Sequence, residues 1–124
     1  MTIRHITFDA RDALVAGRFW AEALGWRMDE ESESEEALVE DPDGRLPGLL
    51  FVAVPEPKQG KNRLHLDLSP SRPRDQEVER LAGLGARVLD DRRRPDGGGW
   101  VVMADPEGNE FCVERGEAER PVAP

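Results

Sequence analysis

Histidine occurs twice in this 124-residue chain, at His5 and His65, and cysteine once, at Cys112. Imidazole and thiolate are good ligands for divalent transition metals, and a carboxylate nearby can add a further ligand or a general base. The segment Asn62 to Ser69, NRLHLDLS, alternates polar and apolar residues with period two. That is the pattern of a strand with one face in a core. Leu64, Leu66 and Leu68 take the core face; Arg63, His65, Asp67 and Ser69 take the other. His5-Ile6-Thr7-Phe8-Asp9 alternates in the same way, with His5, Thr7 and Asp9 opposite Ile6 and Phe8. In Glu110-Phe111-Cys112-Val113-Glu114 the apolar pair leaves Glu110, Cys112 and Glu114 on one face. Neighbouring positions on such a face lie about 6.5 to 7 Å apart along the strand.

These strands belong to a repeat. His65 follows His5 by 60 residues, and Leu24-Gly25-Trp26-Arg27 is echoed 60 residues on by Leu84-Gly85-Ala86-Arg87. Asp41-Pro42-Asp43-Gly44 is echoed 64 residues on by Asp105-Pro106-Glu107-Gly108. Three ordered echoes at nearly constant offset mark two copies of one module. Each copy reads as strand, helix and three short strands. The first strands run from about Ile3 to Phe8 and Arg63 to Ser69. Asp9 or Asp12 caps the first helix, whose apolar stripe is Val15, Ala16, Phe19, Trp20, Ala23 and Leu24; Gly25 stops it. The second helix spans about Arg74 to Leu84, with Val78, Leu81, Ala82 and Leu84 as its stripe and Gly85 as its stop. Strands follow near Trp26 to Asp29, Glu36 to Glu40 and Gly48 to Val54. Their counterparts are near Arg87 to Leu89, Trp100 to Ala104 and Glu110 to Glu114. The Asp-Pro-x-Gly sequences are tight turns, with Pro presetting φ and Gly supplying positive φ.

The fold expected is therefore α+β: two βαβββ modules (1–55 and 62–115) in one domain over residues 1–115. Each has a curved mixed sheet with a helix on one face, and the open faces form a cup. His5 and His65 point into that cup. Residues 55–61 link the copies, and the polar segment 116–124 is a flexible tail.

Net charge is −9, which argues against nucleic acid, whose phosphates require a basic footprint. Arg92-Arg93-Arg94, the basic run, is offset by Asp90 and Asp91. No stretch of about 18 apolar residues is present to span a membrane, and the N-terminal residues lack the apolar segment of a secretory signal. A single cysteine excludes an intrachain disulfide. These features favour the cytoplasm.

His5, the helix ending Phe19-Trp20-x-x-x-Leu24-Gly25-Trp26, the segment His65-Leu66-Asp67-Leu68 and the late turn Asp105-Pro106-Glu107-Gly108-Asn109 recur in one known order. Together they resemble the vicinal oxygen chelate superfamily, the glyoxalase, bleomycin-resistance and extradiol dioxygenase group, and within it the glyoxalase-like branch. The likeness spans about residues 3 to 115. It implies a divalent metal (Zn, Ni, Mn or Fe) in the cup, held by the first and last strands of each module, and a homodimer. His5 and His65 fall on the first-strand positions. The late acidic position falls on Cys112, and the matching strand of the first copy, Leu49 to Val54, offers no donor. The usual carboxylates are thus replaced, and His5, His65 and Cys112 are the metal set if metal is bound.

Two function classes follow. The first is a binding module without the full family metal site, whose pocket of His5, Thr7, His65, Asp67, Trp100 and Cys112 holds a small organic molecule. Trp100, after the hinge Gly97-Gly98-Gly99, either closes over a planar ligand or packs on its hairpin. Trp20 and Trp26 belong to the core. The alternative is a divalent-metal-dependent lyase, isomerase or dioxygenase acting on vicinal oxygens, with Glu110 or Glu114 as base.

Overall fold

The structure, a computed structural model, describes residues 1–121. The chain divides into two compact units, residues 1–59 and 60–124, and each unit is a four-stranded mixed sheet with one helix. The tail residues 122–124 lie outside the described residues.

In the first unit, β1 (His5–Ala10) leads to α1 (Ala13–Leu24), then β2 (Arg27–Met28), β3 (Glu36–Glu40) and β4 (Gly48–Ala53). The strand order is β1-β4-β3-β2, with β1 parallel to β4 and the other pairs antiparallel. Parallel pairing of the first and last strands requires a crossover, which α1 and the β2–β3 hairpin supply. Asp12, not Asp9, caps the helix: its carboxylate accepts from the amides of Leu14 at 3.0 Å and Val15 at 3.2 Å. Gly25 ends the helix at φ 67°. The buried stripe is Ala13, Ala16, Gly17, Phe19 and Trp20. Val15, expected in it, is 41% exposed, because the stripe runs one position to its side. A Cβ on Gly17 would stand 3.0 Å from the Ala37 side chain, so hydrogen there lets α1 press closely onto β3. Phe8 stacks on Phe51 at 5.3 Å between centroids, and Trp20 meets Phe19 edge-on at 5.3 Å. This aromatic cluster fills the space between helix and sheet.

The second unit repeats the plan. β5 (Leu66–Leu68), α2 (Arg74–Gly83), β6 (Arg87–Asp91), β7 (Trp100–Ala104) and β8 (Glu110–Glu114) assemble in the order β5-β8-β7-β6, with β5 parallel to β8. Its core is mainly aliphatic around one aromatic ring: Leu81, Val101, Met103, Phe111 and Val113 are all at most 3% exposed. The expected strand from Arg63 to Ser69 shrinks to its last part. The chain bends at Arg63 and Leu64, which leaves Leu64 61% exposed and not on the core face. Ala82 is also exposed; α2 buries Arg74, Glu77 and Leu81 instead.

Both Asp-Pro-x-Gly turns form, with Gly44 at φ 65° and Gly108 at φ 88°. The aspartates contribute as much as the Pro and Gly. Asp41 accepts from the amides of Asp43, Arg45 and Leu46, and Asp105 from those of Glu107 and Asn109. The segment after β8 is partly ordered by such bonds too. Residues Glu117–Glu119 form a 3-10 turn, and Glu119 Oε1 accepts from the amides of Arg74 and Gly116, each at 2.7 Å. α2 has no capping side chain at its own Pro73, so Glu119 satisfies an orphan amide of its first turn from 45 residues away.

Candidate functional site

The ladder of the second sheet sets the site. Asp67 pairs with Cys112, and Cys112 pairs on its other side with Val102. Directly paired residues project to the same face, so Asp67, Cys112 and Val102 form one row across three strands on the face away from α2. Trp100 pairs with Glu114 and Ala104 with Glu110, which adds Trp100, Glu114 and Glu110 to that face. His65, two residues ahead of Asp67, leans over the row.

Three of the residues singled out by sequence meet here. His65 Nδ1 lies 3.1 Å from Asp67 Oδ1 and 3.9 Å from Cys112 Sγ. One donor atom from each of His65, Asp67 and Cys112 falls within 4.8 Å of the others; among the described residues this is the group of three with metal-ligating potential. Burial pushes the Cys112 thiol up to about 11, and the negative charge of Asp67 adds to the effect. Near neutral pH Cys112 is thus a protonated thiol and a poor nucleophile.

A concavity of about 330 Å³ opens over the row, lined by Lys61, His65, Asp67, Trp100, Val102, Glu110, Cys112 and Glu114. A second, of about 560 Å³, continues past Trp100 along Leu89, Asp90 and Arg92. Trp100, 39% exposed, lines both. Leu89 reaches this space because β6 slips register between Val88 and Asp90.

The two glutamates differ. Glu110 is 9% exposed and accepts from the Asn62 amide at 2.8 Å; it ties the inter-module segment to β8. Glu114 accepts from Arg120 Nη2 at 3.1 Å at the open rim. The Gly97–Gly99 segment is held by hydrogen bonds at both ends. Arg74, 5% exposed, donates to the carbonyls of Gly97 and Gly99, each at 2.9 Å, and Arg94 and Gly98 close the loop with a backbone bond of 3.0 Å.

His5 and Thr7 belong to the first unit, opposite Gly48 and Leu50 in its ladder. Their sheet face continues with the apolar Leu38, Leu50 and Val52 and with the carboxylates of Asp9 and Glu36, both paired with Val52; these do not gather with His5 into a close group of donors. Sequence reasoning missed Lys61, taken as linker, and Arg74, whose contacts are to loop carbonyls and leave no periodic trace. The i, i+2 spacing of His65 and Asp67 was the available signal for their pairing.

A profile of the glyoxalase-like domain matches residues 5–114. The chain belongs to the glyoxalase-like domain family, within the vicinal oxygen chelate superfamily. Solved structures share the fold at low identity. A possible glyoxalase from Bacillus cereus is 20% identical over 92% of this chain and 98% of its own, with a TM-score of 0.69. Lactoylglutathione lyase from Agrobacterium tumefaciens is 20% identical over 94% and 95%, with a TM-score of 0.63. The fosfomycin resistance protein FosX from Listeria monocytogenes, complexed with Mn(II) and 1S,2S-dihydroxypropylphosphonic acid, is 21% identical over 95% and 92%, with a TM-score of 0.71. No curated protein matches the sequence. Among the described residues no helix is long and apolar enough to cross a membrane.

For the divalent ion this fold family implies, the donors that converge are one nitrogen, one oxygen and one sulfur. That set fits an ion of borderline softness.

Proposed function

We propose that the protein binds a small organic molecule on the open face of its second sheet. The observation that carries this is the 330 Å³ concavity, a volume within the range of small-molecule sites. Its parts divide the work of recognition. Val102 gives an apolar floor and Trp100 a flat wall for a planar or apolar group. The His65–Asp67 pair supplies hydrogen-bonding groups, and the Lys61 ammonium favours an anionic or electron-rich substituent at the rim. A homodimer is part of the same proposal, and light scattering that returns a monomer removes it.

A second reading, a metal-dependent lyase, isomerase or dioxygenase, is favoured by the convergence of His65, Asp67 and Cys112. A bound ion would act as a Lewis acid on a substrate oxygen. Of the two glutamates, Glu114 is better placed as base, because Glu110 is engaged by Asn62.

A thermal-shift panel of α-keto acids, sugars and antibiotics, followed by indole emission, tests the binding reading. A true ligand raises Tm and quenches emission in the wild type, and Trp100→Phe abolishes that quench. A ligand whose binding is indifferent to both Trp100→Phe and His65→Ala would place the site elsewhere.

A further inference from the structure

Within the second module His65 meets Asp67 and Cys112. We propose that His65, Asp67 and Cys112 form a cation site contained in the second module, which takes one zinc-class ion through imidazole Nδ1, carboxylate and Sγ. The inference deepens the metal-dependent reading, on which it rests, by naming the ligands and the class of ion.

The ladder builds the site from two adjacent strands. Asp67 and Cys112 are direct partners in the β5–β8 register, and His65 lies two residues from Asp67 on the same side. Zinc bonds to nitrogen and oxygen run about 2.0 to 2.2 Å and to sulfur about 2.3 Å, so donors around a tetrahedral ion stand roughly 3.3 to 3.7 Å apart. The observed separations bracket that range, at 3.1 Å from Nδ1 to Oδ1 and 3.9 Å from Nδ1 to Sγ. The third separation, carboxylate to Sγ, lies within 4.8 Å, and side-chain rotation is the adjustment that tetrahedral spacing asks of the set. His65 and Asp67 are exposed enough to move, with side chains 40% and 52% accessible. Cys112, on the central strand β8, is fixed by its neighbours on both sides.

The donor types set selectivity. Sulfur and imidazole favour Zn(II), Co(II) and Ni(II), whereas Mn(II) and Mg(II) prefer oxygen-rich sets. The Mn(II) held by the Listeria FosX structure is therefore not the ion this set selects. Three protein donors leave a position for water or for an oxygen of a molecule in the concavity that the same side chains line.

The test is a Co(II) titration of the full-length protein stripped with chelator. The expected result is a near-ultraviolet thiolate-to-cobalt charge-transfer band that saturates at one equivalent, is bleached by Zn(II) and persists in excess Mn(II). Cys112→Ser, checked for folding by circular dichroism, loses the band. Asp67→Asn weakens cobalt affinity by more than the roughly 10- to 100-fold that loss of an outer-shell partner costs. A wild type without the band overturns the proposal, and this needs no variant. So does a band that survives in Cys112→Ser, or binding lost in His5→Ala but kept in Asp67→Asn. None of these failures touches the organic-ligand reading, which is read from Trp100 emission.

Discussion

The two modules share a topology and divide its uses. The first has a long β1, a side-chain-capped helix and an aromatic cluster of Phe8, Phe19, Trp20 and Phe51; the polar residues of its open face, His5, Thr7, Asp9 and Glu36, are strung along apolar Leu38, Leu50 and Val52. The second has a three-residue β5, a helix capped from outside by Glu119 and a mainly aliphatic core with Phe111 as its one buried ring. Its open face gathers imidazole, carboxylates, thiol and indole. Duplication of a scaffold does not oblige both copies to keep its chemistry. Here, among the described residues, a close group of three potential metal ligands forms in the second copy.

The largest effect should come from the first module's core. Phe51 is fully buried against Phe8, and Phe51→Ala should cost about 3 to 5 kcal/mol in denaturant unfolding. A loss below about 1 kcal/mol would end the contrast in packing. Next is Arg74→Ala, which removes the two charge-assisted bonds to the hairpin carbonyls and should cost about 1.5 to 3 kcal/mol in all, since the two bonds share one guanidinium and do not add. It should also red-shift Trp100 emission as the hairpin loosens. Stability lost with unchanged emission would leave Arg74 a structural residue only.

Glu119→Ala should cost about 1 kcal/mol, as loss of a helix cap does. The amides of Gly116 and Arg74 hold the Glu119 carboxyl below its ordinary value of 4.5. Its contribution is therefore present above that value and lost as pH falls through the lowered one. The acid limb of the stability curve should flatten in Glu119→Gln.

The smallest effect is kinetic. With its thiol pushed up to about 11, Cys112 should alkylate far more slowly at pH 7.5 than a free thiol. Asp67→Asn, which removes the adjacent negative charge, should speed the reaction. Equal rates in the two proteins would argue that access alone controls it.

Much of this was legible in sequence where period alone decides. The strands Glu36–Glu40, Trp100–Ala104 and Glu110–Glu114 fall where alternation and the turns put them, and alternation correctly placed Glu110, Cys112 and Glu114 on one face. It failed at Leu64, where the alternating pattern continues but the backbone bends. Within its own module the His65 ring meets the i, i+2 neighbour Asp67 and the cross-strand Cys112, and only the first of these has a spacing that the sequence displays. Arg74 and Glu119 were invisible for another reason: a side chain that serves distant backbone amides or carbonyls leaves no spacing to read.

The most direct test is an amide NMR titration of the full chain with Zn(II), or with the organic ligand a screen finds. Shifts concentrated at residues 61–67, 100–102 and 110–114 are the predicted result. Shifts centred on residues 5–9 and 48–52 would put the chemistry in the first module and contradict the account.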